Sequence, residues 1–280
     1  MAIGMKRLIY SGDVPKNPID KCSNVRSPVL GQSSSQSLLS RKLLKRDRYS
    51  ELLAREKDHF DMEFLKAVPR DKREACFDLL GNSRAQLRQD LFALACNDFK
   101  REGFFVEFGA TNGVSLSNSY LLETEFGWNG ILSEPARSWH ADLAANRGCQ
   151  IDQRCVWSKS GETLRFTEAP RGENSGVSSF VKTGRRLRGQ SYDVTTISLN
   201  DLLEENKAPS HIDYLSVDTE GSELEILSAF DFSRWSFGCI TVEHNYQPNR
   251  EGLYKLLTSN GYTRVMENIS RFDDWYVKAA

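Results

Sequence analysis

The chain has 280 residues, of which 39% are hydrophobic and 27% charged, with a formal net charge of −1. That length buries a sizeable core in one large domain or two small ones, and the near-neutral balance removes any global electrostatic case for nucleic acid as a partner. No apolar run approaches the roughly 18–20 uncharged residues of a membrane-spanning helix, which excludes an integral helical membrane protein.

The charge is uneven along the chain. Residues 1–48 carry ten Lys/Arg against three Asp and read as a flexible basic arm. Pro15, Pro18 and Pro28 punctuate it, and a polar tract containing Ser33, Ser34, Ser35, Ser37 and Ser40 cannot bury a core. The run Arg41-Lys42-Leu43-Leu44-Lys45-Arg46 is either a solvated linker or a contact for an anionic surface. The opening residues lack the apolar stretch of a secretory signal. Six cysteines (Cys22, Cys76, Cys96, Cys149, Cys155, Cys239) form no C-x-x-C and no tight framework, and are expected to be reduced thiols in a cytoplasmic protein.

From Tyr49 the pattern turns helical, with Leu53, Phe60, Phe64 and Val68 on one face before Pro69. A second short helix runs to Leu80, and Leu87, Leu91, Leu94 and Ala95 mark a third. Residues 49–100 are thus expected to form a small helical cap. Beyond Gly103 strands and helices alternate. Strands are predicted at Phe104–Phe108, Gly130–Ser133, Gln150–Val156, Glu162–Thr167, Val194–Ile197, Ile212–Val217, Cys239–Val242, Tyr262–Glu267 and Asp274–Val277. Helices are predicted at Leu116–Glu125, Ser138–Asn146, Leu199–Glu205, Ser222–Ala229 and Glu251–Ser259. This alternation predicts an α/β fold over residues 101–280: a Rossmann-like, mostly parallel, doubly wound sheet. The last two strands lack an intervening helix and predict an antiparallel edge hairpin.

Ligands of such sheets bind beyond the carboxyl ends of the strands, where strand order reverses. The tip of the first strand reads Glu107-Phe108-Gly109-Ala110-Thr111-Asn112-Gly113, a turn whose glycines let backbone approach a ligand closely. Its spacing is G-x-x-x-G rather than the dinucleotide G-x-G-x-x-G, which argues against a nicotinamide dehydrogenase. Glu134, before Pro135 at the tip of the second strand, stands where an acid accepts both hydroxyls of a ribose. Asp218 and Glu220 flank the tip of a later apolar strand, and Glu243-His244 follow the next one. His244 is the histidine at a strand tip and the candidate general base for a hydroxyl nucleophile. Asp218, Glu220, Glu243 and His244 can alternatively gather magnesium or manganese, so a divalent metal stays open. Glu223 is expected to serve the first turn of its helix.

These residues carry a resemblance. The segment FFVEFGATNGVSLSNSYLLETEFGWNGILSEPARSW is similar to the opening of FkbM-type, S-adenosylmethionine-dependent methyltransferases. VTTISLNDLLEEN, IDYLSVDTEGSELEILSAFDF and ITVEHNY follow in the family's order. The likeness covers about residues 84–280, with Asp-x-Glu-Gly-x-Glu its most specific part. It implies a class I methyltransferase fold in which Glu107, Gly109, Ala110 and Gly113 hold the methionine half of S-adenosylmethionine. Glu134 and Pro135 would then meet the ribose and Cys155 and Val156 the adenine, Val156 reading equally well as core. The methyl would react near Asp218, with Glu220, Glu243 and His244 as the catalytic neighbours. The implied acceptor is a hydroxyl of a sugar, polysaccharide or secondary metabolite. Arg185, Arg186 and Arg188, in the polar stretch 171–190, read either as a grip for an anionic acceptor or as a solvated loop. Related eukaryotic domains in protein trafficking supply the rival reading, a non-catalytic interaction module.

Overall fold

The computed structural model describes residues 34–170, 175–180 and 189–279, with side chains from residue 49 onward. The chain divides into two compact units, Met1–Leu52 and Leu53–Ala280. Most of the expected basic arm lies outside the described residues, as do Cys22, Arg185, Arg186 and Arg188. Helix α1 (Ser34–Ala67) starts earlier than Tyr49, where the apolar periodicity places it. The stretch has no Gly or Pro and is rich in Leu, Lys, Arg and Glu, all good helix formers, so propensity carries the helix beyond its apolar face.

After α1 come α2 (Arg73–Leu79), α3 (Gln89–Cys96) and β1 (Phe104–Phe108). Next are α4 (Tyr120–Phe126), β2 (Asn129–Ser133), α5 (His140–Asn146), β3 (Gln150–Asp152) and β4 (Cys155–Trp157). Then follow β5 (Thr163–Glu168), β6 (Gly176–Val177), β7 (Gln190–Ser198), α6 (Leu199–Glu205), β8 (His211–Val217) and α7 (Glu223–Ser228). The chain closes with β9 (Ser236–Glu243), α8 (Asn249–Ser259), β10 (Tyr262–Val265) and β11 (Asp273–Lys278).

The main sheet has seven strands in the order β3-β2-β1-β8-β9-β11-β10. Only β11 runs antiparallel to its neighbours β9 and β10, which is the edge hairpin the sequence predicts. Because successive side chains of a strand point to opposite faces, the strands feed two cores. Val106, Leu215, Val217, Ile240 and Val242 pack with α6, α7 and α8 through Leu202, Ile226 and Leu253. Phe105, Tyr214, Cys239 and Trp275 pack on the other face with Leu91 of α3, Leu121 of α4, Leu143 of α5 and Phe64 of α1. The helices of the expected cap therefore share a core with the sheet.

Two departures from the expected elements shape the site. The predicted strand Gln150–Val156 is broken in two. Asp152 accepts from the backbone N–H of Arg154 at 2.8 Å and from its guanidinium, a side chain-to-backbone turn that ends β3. β4 instead joins a second, four-stranded sheet of order β4-β7-β5-β6. Helix α4 starts at Tyr120 rather than Leu116, because Leu116 has φ 61° and Ser117, Asn118 and Ser119 turn back to bond Glu107.

Candidate functional site

β1 is flanked by β2 on one side and β8 on the other, so strand order reverses there and a crevice opens beyond the strand tips. A cleft of about 320 Å³ occupies it, lined by the tips of β1, β2, β4, β8 and β9, by Gln86 and Gln89 at the start of α3, and by Phe166 and Val177 of the second sheet. Among the described residues no lysine, arginine or histidine lines it, whereas Glu107, Glu134, Asp218, Glu220 and Glu243 do.

The half of the cleft under β1 and β2 is held by hydrogen bonds to its two carboxylates. Glu107, 2% exposed, accepts from Asn118 N–H at 2.7 Å and from the hydroxyls of Ser117 (3.1 Å) and Ser119. Arg147 lies behind it, donating to the carbonyl of Gly113 at 3.1 Å and to the hydroxyls of Ser117 and Ser119, while pairing with Glu123 at 2.7 Å. Gly109 has φ 76°, and a Cβ there would lie 2.2 Å from the main-chain oxygen of Asp218, so only glycine fits between the β1 and β8 tips. Thr111 is held at φ 48°, a conformation that is strained for a β-branched residue. Its N–H is fixed by Glu134, whose two carboxylate oxygens accept from Thr111 and Ala136 at 2.8 Å each. Burial raises the Glu134 carboxyl to about 7 against those two bonds. Each of its oxygens retains a lone pair for a further donor.

The half under β8 and β9 is a carboxylate cluster. Asp218 is open to solvent in the cleft but set deep among protein atoms. That depth, and then the charges of Glu220, Asp273 and Glu223, raise its carboxyl well above the ordinary range. Glu243 is raised as well, first by burial and then by the charges of Asp218 and Glu220. Its Oε2 has no donor, as expected where one carboxylate faces another, and such a pair holds one proton in common. Asp273 accepts from Gln89 at 2.9 Å, and burial lifts it to about 7. Glu223 closes the turn before α7, accepting from Thr219 N–H at 3.1 Å and Gly221 N–H at 2.9 Å. That turn carries Glu220 at φ 61°.

Of the residues singled out from sequence, Glu107, Gly109, Glu134, Pro135, Cys155, Val156, Asp218, Glu220 and Glu243 line the cleft. Three stand elsewhere. Ala110 packs in the core at 1% exposure, because the left-handed residues on either side of it turn its methyl inward. Gly113 sits under Leu143 and Arg147, whose side chains would lie 2.8 and 2.6 Å from a Cβ. His244 is buried at 2% exposure and faces Asp274, 3.7 Å from its Nε2, rather than the cleft. Its Nδ1 accepts the N–H of Tyr246 at 2.9 Å. His244 therefore stands apart from Asp218, Glu220 and Glu243, the other members of the alternative metal-ligand set. Among the described residues no three or more His, Cys, Asp or Glu side chains are grouped to hold a metal ion. Sequence reasoning missed Gln86, Gln89, Asn118, Asn245 and Phe272. The amide residues had no periodicity or motif to mark them, and Gln89 reaches the cleft only because α3 packs against the β11 end of the sheet.

The strand order, the reversed strand β11 next to the edge and the acid-tipped glycine turn define a class I methyltransferase fold. A family model for the Methyltransferase FkbM domain matches residues 107–276, and the chain belongs to that family. No curated protein matches it. Among solved structures it is similar to the methyltransferase FkbM of Methylobacillus flagellatus KT, at 13% identity and a TM-score of 0.39 over 79% of this chain and 59% of that one. It is also similar to the precorrin-6y C5,15-methyltransferase of Geobacter metallireducens GS-15, at 13% identity and a TM-score of 0.36 over 62% of this chain and 70% of that one. A methyltransferase from Pyrococcus furiosus is 12% identical, with a TM-score of 0.31 over 68% of this chain and 81% of that one. The chain spans less than two thirds of the length of the Methylobacillus protein. These likenesses are distant, and the family assignment rests on the domain match. Among the described residues no helix is long and apolar enough to cross a membrane.

Proposed function

We propose that the chain is an S-adenosylmethionine-dependent methyltransferase acting on a hydroxyl group of a sugar, polysaccharide or secondary metabolite. The observation that carries this reading is the cleft itself: an acidic crevice at the strand-order reversal, with a carboxylate at the β2 tip gripping the glycine turn of β1.

The residues fit the cofactor. Glu134 keeps acceptor capacity for ribose hydroxyls, Val156, Phe166 and Val177 offer an apolar wall for adenine, and a cleft whose described lining holds acids and no basic side chain suits a cation. Glu107 serves the methionine end by fixing the Ser117–Ser119 turn beside the glycine loop. When bound, the cofactor supplies a methyl group on a positively charged sulfur. The chain's own task is then to align an acceptor oxygen and take its proton. The Asp218–Glu243 pair is suited to it: the ionised member accepts the proton, and the pair's raised affinity for protons makes it a stronger base than an ordinary carboxylate. Glu220, on the same turn, orients the acceptor.

Free thiols at Cys76, Cys96, Cys149, Cys155 and Cys239 support a reducing, cytoplasmic setting. The domain limits we propose are a basic arm over 1–48, whose last part already belongs to α1 (Ser34–Ala67), a helical segment over 49–100 and a catalytic domain over 101–280. The test is incubation of the purified chain with methyl-labelled S-adenosylmethionine and extracted glycans and metabolites. Label in an ether-linked methyl group is the expected result. Label only in protein, nucleic acid or an N-methyl product would overturn the hydroxyl acceptor, and no transfer at all would overturn the enzyme.

A further inference from the structure

We infer that His244 is a positioning residue, whose Nδ1 holds the strained Asn245–Tyr246 turn and thereby sets Asn245 in the cleft wall and Tyr246 beyond it as a contact for the acceptor. The acceptor part of this inference rests on the methyl-transfer reading of the cleft.

Two consecutive non-glycine residues, Asn245 (φ 46°) and Tyr246 (φ 55°), occupy the left-handed region at the tip of β9. That region is disfavoured for residues with a side chain, for Tyr more than for Asn, so the turn persists only because its surroundings hold it. The bonds that hold it are specific. The N–H groups of His244 and Asn245 donate to the carbonyl of Phe272 at 2.9 and 3.1 Å, and Gln247 N–H donates to the His244 carbonyl at 2.7 Å. The side-chain contribution comes from His244 Nδ1, which accepts the N–H of Tyr246 at 2.9 Å.

That bond decides the chemistry of the ring. An imidazole that accepts at Nδ1 carries its proton on Nε2 when neutral. Burial holds its pKa below the ordinary value, which favours the neutral form. Nε2 in turn faces Asp274, which is already paired with Arg250 of α8 at 2.7 Å and Arg264 of β10 at 3.3 Å. The lone pair a general base needs is therefore engaged by backbone, and the ring does not line the cleft.

What the turn displays is Tyr246. At 69% exposure it is the most exposed large hydrophobic side chain among the described residues, with its ring edge-on to His244 at 5.4 Å. Its neighbour Asn245 lines the cleft together with Glu243 and Phe272. An aromatic ring held out by strained backbone beside a wall of amide and carboxylate groups suits an acceptor with both an apolar ring face and hydroxyls.

The bond from Nδ1 to the N–H two residues on is the one an asparagine side chain makes in an Asx turn. His244→Asn should therefore restore the turn, and it cannot act as a base. The experiment compares wild type with His244→Ala, His244→Asn and Tyr246→Ala. It reads the imidazole tautomer by nitrogen NMR, hydrogen exchange at the Tyr246 amide, S-adenosylmethionine affinity by calorimetry, and label transfer to the acceptor extract. The expected results are an Nε2-protonated ring and exchange about tenfold faster in His244→Ala, the worth of one hydrogen bond, with protection and transfer restored in His244→Asn. Tyr246→Ala should raise the extract concentration for half-maximal transfer about tenfold with unchanged cofactor affinity. An Nδ1-protonated ring, or His244→Asn as defective as His244→Ala with an altered pH profile, would overturn the positioning role. Unchanged transfer by Tyr246→Ala would overturn the acceptor contact. If the wild-type chain bound no S-adenosylmethionine, the methyl-transfer reading and the acceptor contact would fall together, while tautomer and exchange would still decide the role of His244.

Discussion

The two halves of the cleft are built on opposite principles. Under β1 and β2 every functional carboxylate is already engaged: Glu107 by Ser117, Asn118 and Ser119, and Glu134 by the N–H groups of Thr111 and Ala136. Under β8 and β9 the carboxylates of Asp218, Glu220 and Glu243 line the cleft together, with those of Asp218 and Glu243 raised by burial and by the charges around them. The first half is preorganised to receive a ligand without rearrangement, which reduces the ordering cost of binding. The second stores electrostatic tension that a proton or a cation relieves. On the proposed methyl-transfer reading, one fold thus supplies a rigid seat and a reactive neighbour from adjacent strand tips.

The harshest way to break this contrast is to make the two tips collide. Gly109→Ala places a Cβ 2.2 Å from the Asp218 carbonyl oxygen at φ 76°. We expect it to abolish S-adenosylmethionine binding and to lower stability by about 2–4 kcal/mol, read by calorimetry and denaturant unfolding. Near-wild-type binding would show that the two tips are not rigidly apposed. Asp218→Asn removes a member of the reactive half and should reduce the transfer rate by roughly 10²–10³-fold. Cofactor affinity should change far less, and equal losses in both would erase the division between seat and base. Glu134→Ala strikes the seat alone and should weaken cofactor affinity about 10–100-fold, with little effect on the rate at saturating cofactor.

The smallest expected effect is on stability against pH. Glu134 and Asp273 are raised to about 7 and Asp90 to about 6, all by burial, above their ordinary values of 4.5, 3.8 and 3.8. The folded chain therefore binds these protons more tightly than the unfolded one. Their contribution is fully present below about pH 4 and is lost as pH rises through 6–7. The Tm of the ligand-free protein should fall between pH 5 and pH 8. A Tm that rises over that interval would mean these carboxyls are not buried as described.

Much of the main sheet could be read from the sequence because its strands are buried on both faces and appear as short apolar runs, as in Phe104–Phe108 and Ile212–Val217. The strand-tip acids were legible for the same reason: Glu134 and Asp218 interrupt apolar text where a strand must end. The second sheet was less legible. β6 has two residues, too few for any period, and β4 was merged with β3 because an Asp-x-Arg turn leaves no Gly or Pro to mark the break. His244 misled for a physical reason as well. A strand-tip position says where the backbone goes, but the side chain's direction was set by the left-handed turn that follows and by Asp274, distant in sequence. Gln89 and Asn118 reached the cleft through packing and a helix start displaced by Glu107, neither of which has a local signature.

The central claim is that the half of the cleft under β1 and β2 seats S-adenosylmethionine, and calorimetric titration of the purified chain with that compound tests it most directly. The account predicts saturable binding at one site per chain, weakened about 10–100-fold by Glu134→Ala. Absence of binding, or an affinity indifferent to Glu134, would contradict it.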